Sequence, residues 1–211
     1  MKIYKYLIIT FLLLIAPARI FSQTVSATFF DVPQQKVYLN AFTGLYYEVL
    51  DSVMMSQDKR VEFNTPMEKG MYMLETEYGN SVDFLYDDAP VKMIVKDIDE
   101  KNTIEFIGSQ TNNDWRNYLI FKEQILNALN LLKPILREYD KDSEFYIKSL
   151  NEYQQLQDEF VSFTDSLMLH DNYASTLIRV DRFPSINLKD DFKKQRQDMI
   201  ANFFNDVDFN D

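Results

Sequence analysis

The sequence predicts an α+β protein, with an N-terminal antiparallel β-sandwich or open barrel over residues 24–108 and an α-helical hairpin or bundle over residues 109–211. Three observations carry this expectation. Apolar and polar residues alternate with period two from Thr24 to about Ile107, the apolar spacing lengthens to three or four after Gly108, and turn-forming residues punctuate the first half at short intervals.

In the first half, Lys36-Val37-Tyr38-Leu39-Asn40-Ala41 sets Val37, Leu39 and Ala41 on one face, and Arg60-Val61-Glu62-Phe63 does the same with Val61 and Phe63. Met71-Tyr72-Met73-Leu74, Val82 to Tyr86, Val91 to Val95 and Thr103 to Phe106 continue the pattern. Between them lie Pro33-Gln34-Gln35, Ser56 to Lys59, Glu68-Lys69-Gly70, Tyr78-Gly79-Asn80, Asp87 to Pro90 and Asp97 to Asn102, residue types that favour turns through their own backbone bonding or their freedom at positive φ. Seven or eight short strands are expected, each with one wet and one dry face.

Beyond Gly108, Trp115, Tyr118, Leu119, Ile125, Leu126, Leu129, Leu132 and Leu136 line one face of a helix from about Asn113 to Arg137, which Pro134 should kink or end. A second helix, about Ser143 to Leu169, carries Tyr146, Leu150, Tyr153, Leu156, Phe160, Phe163 and Leu167 on its apolar stripe, and the short link predicts an αα-hairpin. A short helix over Tyr173 to Val180 and a last one over Leu188 to Asn205 complete the expectation.

The chain has 211 residues, 46% of them hydrophobic and 26% charged, a globular rather than a disordered balance. Its start reads as a secretory signal: Lys2 and Lys5 precede an apolar run from Leu7 to Ala16, too short to span a bilayer. Cleavage is expected after Ala18 or near Ser22 and Gln23, which makes residues 1–23 a signal peptide and the protein exported, to the periplasm or cell envelope. Loss of Lys2, Lys5 and Arg19 leaves 19 basic against 33 acidic residues, a net charge of −14. That charge repels phosphate and argues against nucleic acid or anionic lipid as a partner. With no cysteine and one histidine, disulfides, thiol catalysis, N-terminal lipidation through cysteine and His/Cys zinc sites are excluded.

No residue is assigned a catalytic, cofactor-binding or metal-ligating role, and no cofactor is expected. Ser109-Gln110-Thr111-Asn112-Asn113-Asp114-Trp115 suits a helix start, where hydroxyl and amide groups cap free N–H groups. His170 stands alone and is expected at a helix end against backbone carbonyls. Carboxylates cluster at Asp87-Asp88, Asp97 to Glu100, Asp140 to Asp142, Asp190-Asp191 and Asp206 to Asp211, and are read as solvated turns. The last resembles the opening of a calcium loop but lacks its glycine and closing glutamate. Tyr46-Tyr47 are expected to pack into the sandwich, the alternative being a stacking surface for sugar or peptide.

Leu50-Asp51-Ser52-Val53 followed by a hairpin to Val61-Glu62-Phe63, then Gly70 to Leu74, Phe84-Leu85, and Ile104 to Ser109 leading to Asn113-Asp114-Trp115, together resemble the N-terminal domain of unknown function of exported bacterial thioredoxin-like proteins of the TlpA type. Tyr173 to Leu177 and Phe203 to Phe209 are similar to the helical linker of those proteins. Asp58-Lys59-Arg60 stands where the usual glycine occurs, and the thioredoxin-like domain with its C-x-x-C pair is absent. The resemblance implies a truncated, split or standalone relative that is a non-catalytic accessory or binding module of the cell envelope. A thioredoxin-like domain or another envelope protein is its expected partner. The competing expectation is a carbohydrate-binding or hydrolytic domain that uses surface aromatics and carboxylates.

Overall fold

The computed structural model describes residues 24–188, 190 and 192–202. Residues 1–23, where a signal peptide is expected, Lys189, Asp191 and residues 203–211 lie outside the described residues. Within them run β1 (Val25–Phe29), β2 (Lys36–Thr43), β3 (Tyr46–Met54), β4 (Arg60–Phe63), β5 (Gly70–Thr76), β6 (Ser81–Tyr86), β7 (Val91–Val95) and β8 (Ile104–Phe106). The helices that follow are α1 (Gln110–Glu138), α2 (Glu144–Met168), α3 (Tyr173–Asp181) and α4 (Phe192–Asn202).

The strands form two open four-stranded sheets, β4-β1-β7-β8 and β3-β2-β5-β6. Each presents one face to the other, and Phe29, Leu39, Phe63, Leu74, Phe84 and Met93 meet there almost free of solvent. Burying a side chain of this size is worth about 1.5–3 kcal/mol, so this shared layer is the principal cohesion of the β half. The pairing is mostly antiparallel. The exception is β1 with β7, parallel from Val25↔Val91 to Phe29↔Val95. Alternation reports which face a residue takes and carries no strand direction, so this pair could not be read from the pattern.

Asp51-Ser52-Val53 and Val61-Glu62-Phe63 do not form the expected hairpin, because β3 and β4 belong to different sheets. The chain changes sheets at Met55, which is buried and donates its N–H to the Gln35 carbonyl at 3.0 Å. A tight turn follows, closed by Lys59 N–H on the Ser56 carbonyl at 3.0 Å and Ser56 N–H on that of Arg60 at 2.9 Å. Lys59 takes φ 56°, the left-handed conformation that glycine adopts at least cost. Its ammonium donates to the Phe30 carbonyl at 3.0 Å, a bond glycine could not make.

α1 begins where its capping residues predict: Ser109 accepts from Asn112 N–H. It does not end at Pro134 but continues to Glu138. Pro134 and Asn130, whose carbonyl loses its helical partner, are both exposed, so the helix can continue with that carbonyl open to solvent. Against α1, α2 packs Tyr153, Phe160 and Leu167, with Phe121 and Phe163 ring centroids 4.3 Å apart. A reciprocal capping box between Asn172 and Ser175 starts α3, which sets Ala174 and Ile178 into the same layer.

The sheets and helices are joined at Asn112. Its side chain accepts from Leu85 N–H at 2.7 Å and donates to the Leu85 carbonyl at 2.8 Å. β6 is an edge strand, and these two backbone groups point off the edge. Asn113 adds a bond to the Phe106 carbonyl at 3.1 Å, and the Arg116 guanidinium bonds that of Ile104. Leu85 itself is wholly buried within the helical layer. Replacing Asn112 with Ala strands a buried donor and a buried acceptor, and is expected to cost about 2–4 kcal/mol. Urea unfolding should show this as a lower midpoint at unchanged slope.

Candidate functional site

The capping segment does more than cap. Asp114, 2% exposed, accepts from Gln110 at 2.7 Å and Asn172 at 2.7 Å and contacts His170 Nδ1 at 2.8 Å. His170 therefore meets a carboxylate rather than the backbone carbonyls expected of it, and the pair fastens the α2–α3 link to the first turn of α1. A hydrolytic triad places a hydroxyl on the far ring nitrogen; among the described residues Nε2 of His170 has no such partner.

Turn carboxylates serve their own backbones. Asp97 accepts from Asp99 N–H and Asp140 from Asp142 N–H, each at 3.0 Å, while Asp87 accepts from the Thr111 hydroxyl. Asp190 pairs with Lys194 at 3.0 Å. Asp191 and the calcium-like cluster Asp206 to Asp211 lie outside the described residues. Among the described residues no group of three His, Asp or Glu side chains is placed to hold a metal ion.

Tyr46 and Tyr47 do not pack into the sandwich; they are 75% and 50% exposed. Register explains Tyr47: Val37, Leu39 and Ala41 face the other sheet, so Asn40 and Phe42 face outward, together with their cross-strand partners Val49 and Tyr47, while Tyr46, paired with Thr43 at the hairpin end, takes the opposite face. A bulge at the Leu39/Asn40 step absorbs Leu50 and fixes that orientation. On the same outer face, Met71 and Leu85 lie under the helices. The β5–β6 half of the sheet is thus covered, while Phe42, Tyr47 and Val49 of the β2–β3 half are bare.

At the covered end a cleft of about 350 Å3 opens between the β5–β6 turn, the loop from β7 to β8 and the first turns of α1. Asn80 donates to Asp99 at 3.0 Å and ties the turn to the loop. Trp115, Phe106 and Leu119 supply the apolar lining, with Trp115 stacked on Tyr118 at 5.4 Å. The charged lining is Asp83, Asp99, Lys101 and Arg116. Arg116 is anchored on Ile104, and its Nε is buried with no hydrogen-bond partner.

Asp83 sits on the outer face opposite Met73 and has no hydrogen bond to its carboxylate among the described residues. Burial pushes its carboxyl above the ordinary value, with Lys101 pulling the other way, although the side chain still reaches solvent at the cleft mouth. No sequence cluster contained it; the signal was a lone acid in the apolar strand Val82-Asp83-Phe84-Leu85-Tyr86. A shallower depression of about 720 Å3 shares Lys101, Trp115 and Leu119 with the cleft and extends it along α1 and α3. Beneath it Tyr118, raised by burial and by Asp181, donates to Asp181 at 2.9 Å, and Lys122 bonds the same carboxylate at 2.7 Å.

A carboxyl whose folded pKa is raised binds its proton more tightly in the folded chain, so its stabilising contribution is present below the ordinary value of 3.8 and is lost as pH rises through the folded value. Asp83→Asn should therefore raise the melting temperature at pH 7 by about 1–2 °C, the scale of a solvent-reaching substitution in a chain of this length. The difference should shrink toward zero as the pH is lowered to about 4, as followed by calorimetry at both values.

In comparisons with known proteins, no family model and no curated protein matches the chain.

Proposed function

We propose that this chain is a non-catalytic, exported module of the periplasm or cell envelope, without a lipid anchor, that works by binding another protein through the outer face of β2 and β3. The observation that carries the reading is the bare half-sheet. Phe42, Tyr47, Val49 and Met54 are exposed on this face, with Leu45 exposed at the turn that ends it. Apolar side chains gathered this way mark interaction surfaces, because water gains from their removal. Phe42 and Tyr47 rest against each other at 5.2 Å, which pre-orders the centre of the patch.

The partner is a heterologous protein that presents an apolar patch rimmed by Lys and Arg. Acids adjoin the face: Glu75 on β5 and Asp83 on β6 lie on it, and Glu48 and Asp51 flank the same β3 edge from the other side of the sheet. Self-association by pairing β3 with its counterpart would bring together two chains that each carry a net charge of −11, with the acids Glu48 and Asp51 of both copies gathered along one seam. The bulge at Leu50 further blunts the edge against strand addition, which leaves the face as the surface for docking. Among the described residues no helix is long and apolar enough to cross a membrane. The TlpA-type resemblance supports a thioredoxin-like domain as the partner, with another envelope protein as the wider class.

Photocrosslinking in cells tests this. Benzoylphenylalanine in place of Val49 should give one discrete adduct with an envelope protein, and the same group in place of Gln155, on the exposed side of α2, should not. Adding Tyr47→Glu should abolish the adduct, and raising salt in an osmotic-shock extract should weaken it. Adducts only between copies of the chain, or none at position 49, would refute the reading.

A further inference from the structure

Independently of the docking face, we propose that the cleft beside Trp115 binds a short peptide with free termini, of dipeptide size, through both of its charges. A volume of about 350 Å3 lies at the small end of ligand sites. Its lining combines an apolar base with charges of both signs on separate elements: Asp83 on β6, Lys101 on the β7–β8 loop and Arg116 on α1.

The state of these charges selects the ligand. Asp83 is partly desolvated and accepts no hydrogen bond within the described residues, so it gains from an ammonium group. Arg116 is held in place by the Ile104 carbonyl, and Lys101, whose ion pair with Glu123 is as long as 3.9 Å, lines the cleft with it, so this wall gains from a carboxylate. A neutral sugar would compensate neither group. A plain anion would face Asp83 and Asp99, and a plain cation Lys101 and Arg116. A zwitterion matches both walls, and its apolar side chain would rest on Trp115 and Leu119. The depression continuing along α1 gives a peptide backbone room that a single amino acid does not need.

The test is titration calorimetry on the mature chain with four probes: glycyl-L-leucine, its N-acetyl derivative, its C-terminal amide, and maltose. Glycyl-L-leucine should bind saturably, and each blocked form should bind at least about tenfold more weakly, the scale of one lost charge-assisted contact. Asp83→Asn should weaken the free dipeptide about tenfold yet leave the N-acetyl form unchanged, and Lys101→Met should do the converse with the amide. Circular dichroism establishes that both variants are folded, and amide chemical-shift changes confined to residues 80–83, 99–104 and 112–119 would locate the peptide. Equal binding of free and blocked dipeptides, binding of maltose alone, or no saturable heat with any probe would overturn the proposal.

Discussion

The rest of the structure depends on how the open edge of β6 is satisfied. An edge strand leaves alternate N–H and C=O groups without a ladder partner, and those of Leu85 are buried beneath helices where water cannot serve them. No further strand lies on that side among the described residues. Asn112 takes its place, since a carboxamide carries one acceptor and a pair of donors and so reproduces the bonding of one strand residue. Because Asn112 lies in the first turn of α1, the helix must start there, and Ser109 caps it in the register that makes this possible. The direction of α1, the seat of α2 beneath it and the position of α3 follow from that one residue.

This arrangement divides the second sheet. Helices can reach only as far as Met71 and Leu85, so Phe42, Tyr47 and Val49 on the outward side of β2 and β3 have no cover within the described residues. The cleft forms at the seam, where the rim of the helical layer meets the β5–β6 turn. Charged groups collect there because a seam is neither fully dry nor fully wet: Asp83 is crowded enough to lose water without a hydrogen-bond partner among the described residues, and Arg116 bonds the Ile104 carbonyl while its Nε has none. The Asp114 cluster lies on another side of the same helix start, with Asp114 buried and bonded by Gln110, His170 and Asn172, and serves to lock the α2–α3 link.

The α+β class, most strand positions and the two long helices were legible because each depends on local periodicity. Val37 and Leu39 alternate as their burial does, and Tyr153 and Phe160 fall on one stripe as they do in the folded chain. What was hidden depends on contacts far apart in sequence. Nothing near Met55 announces a change of sheet, nothing in Val25 to Phe29 names Val91 to Val95 as a parallel partner, and His170 lies 56 residues from the carboxylate it meets. Asn112 was read as a capping residue, which accounts for its place at a helix start but not for the strand edge it completes. The exposure of Tyr47 was missed for a related reason: alternation shows that a strand has two faces, not which of them a later helix will cover.

The place of β1 has a temporal consequence. It is the first strand to leave the ribosome or a translocation pore, yet it lies inside its sheet, between β4 and β7. The second sheet contains two local hairpins, β2 with β3 and β5 with β6, which can close soon after they emerge. The first sheet must wait for its parallel partner, whose register begins at Val91. During that interval Val25, Ala27 and Phe29 stay without their final neighbours, and loop closure over more than sixty residues has to precede their burial. The interval between emergence of the first strand and that of the seventh is therefore when the chain has most need of a chaperone.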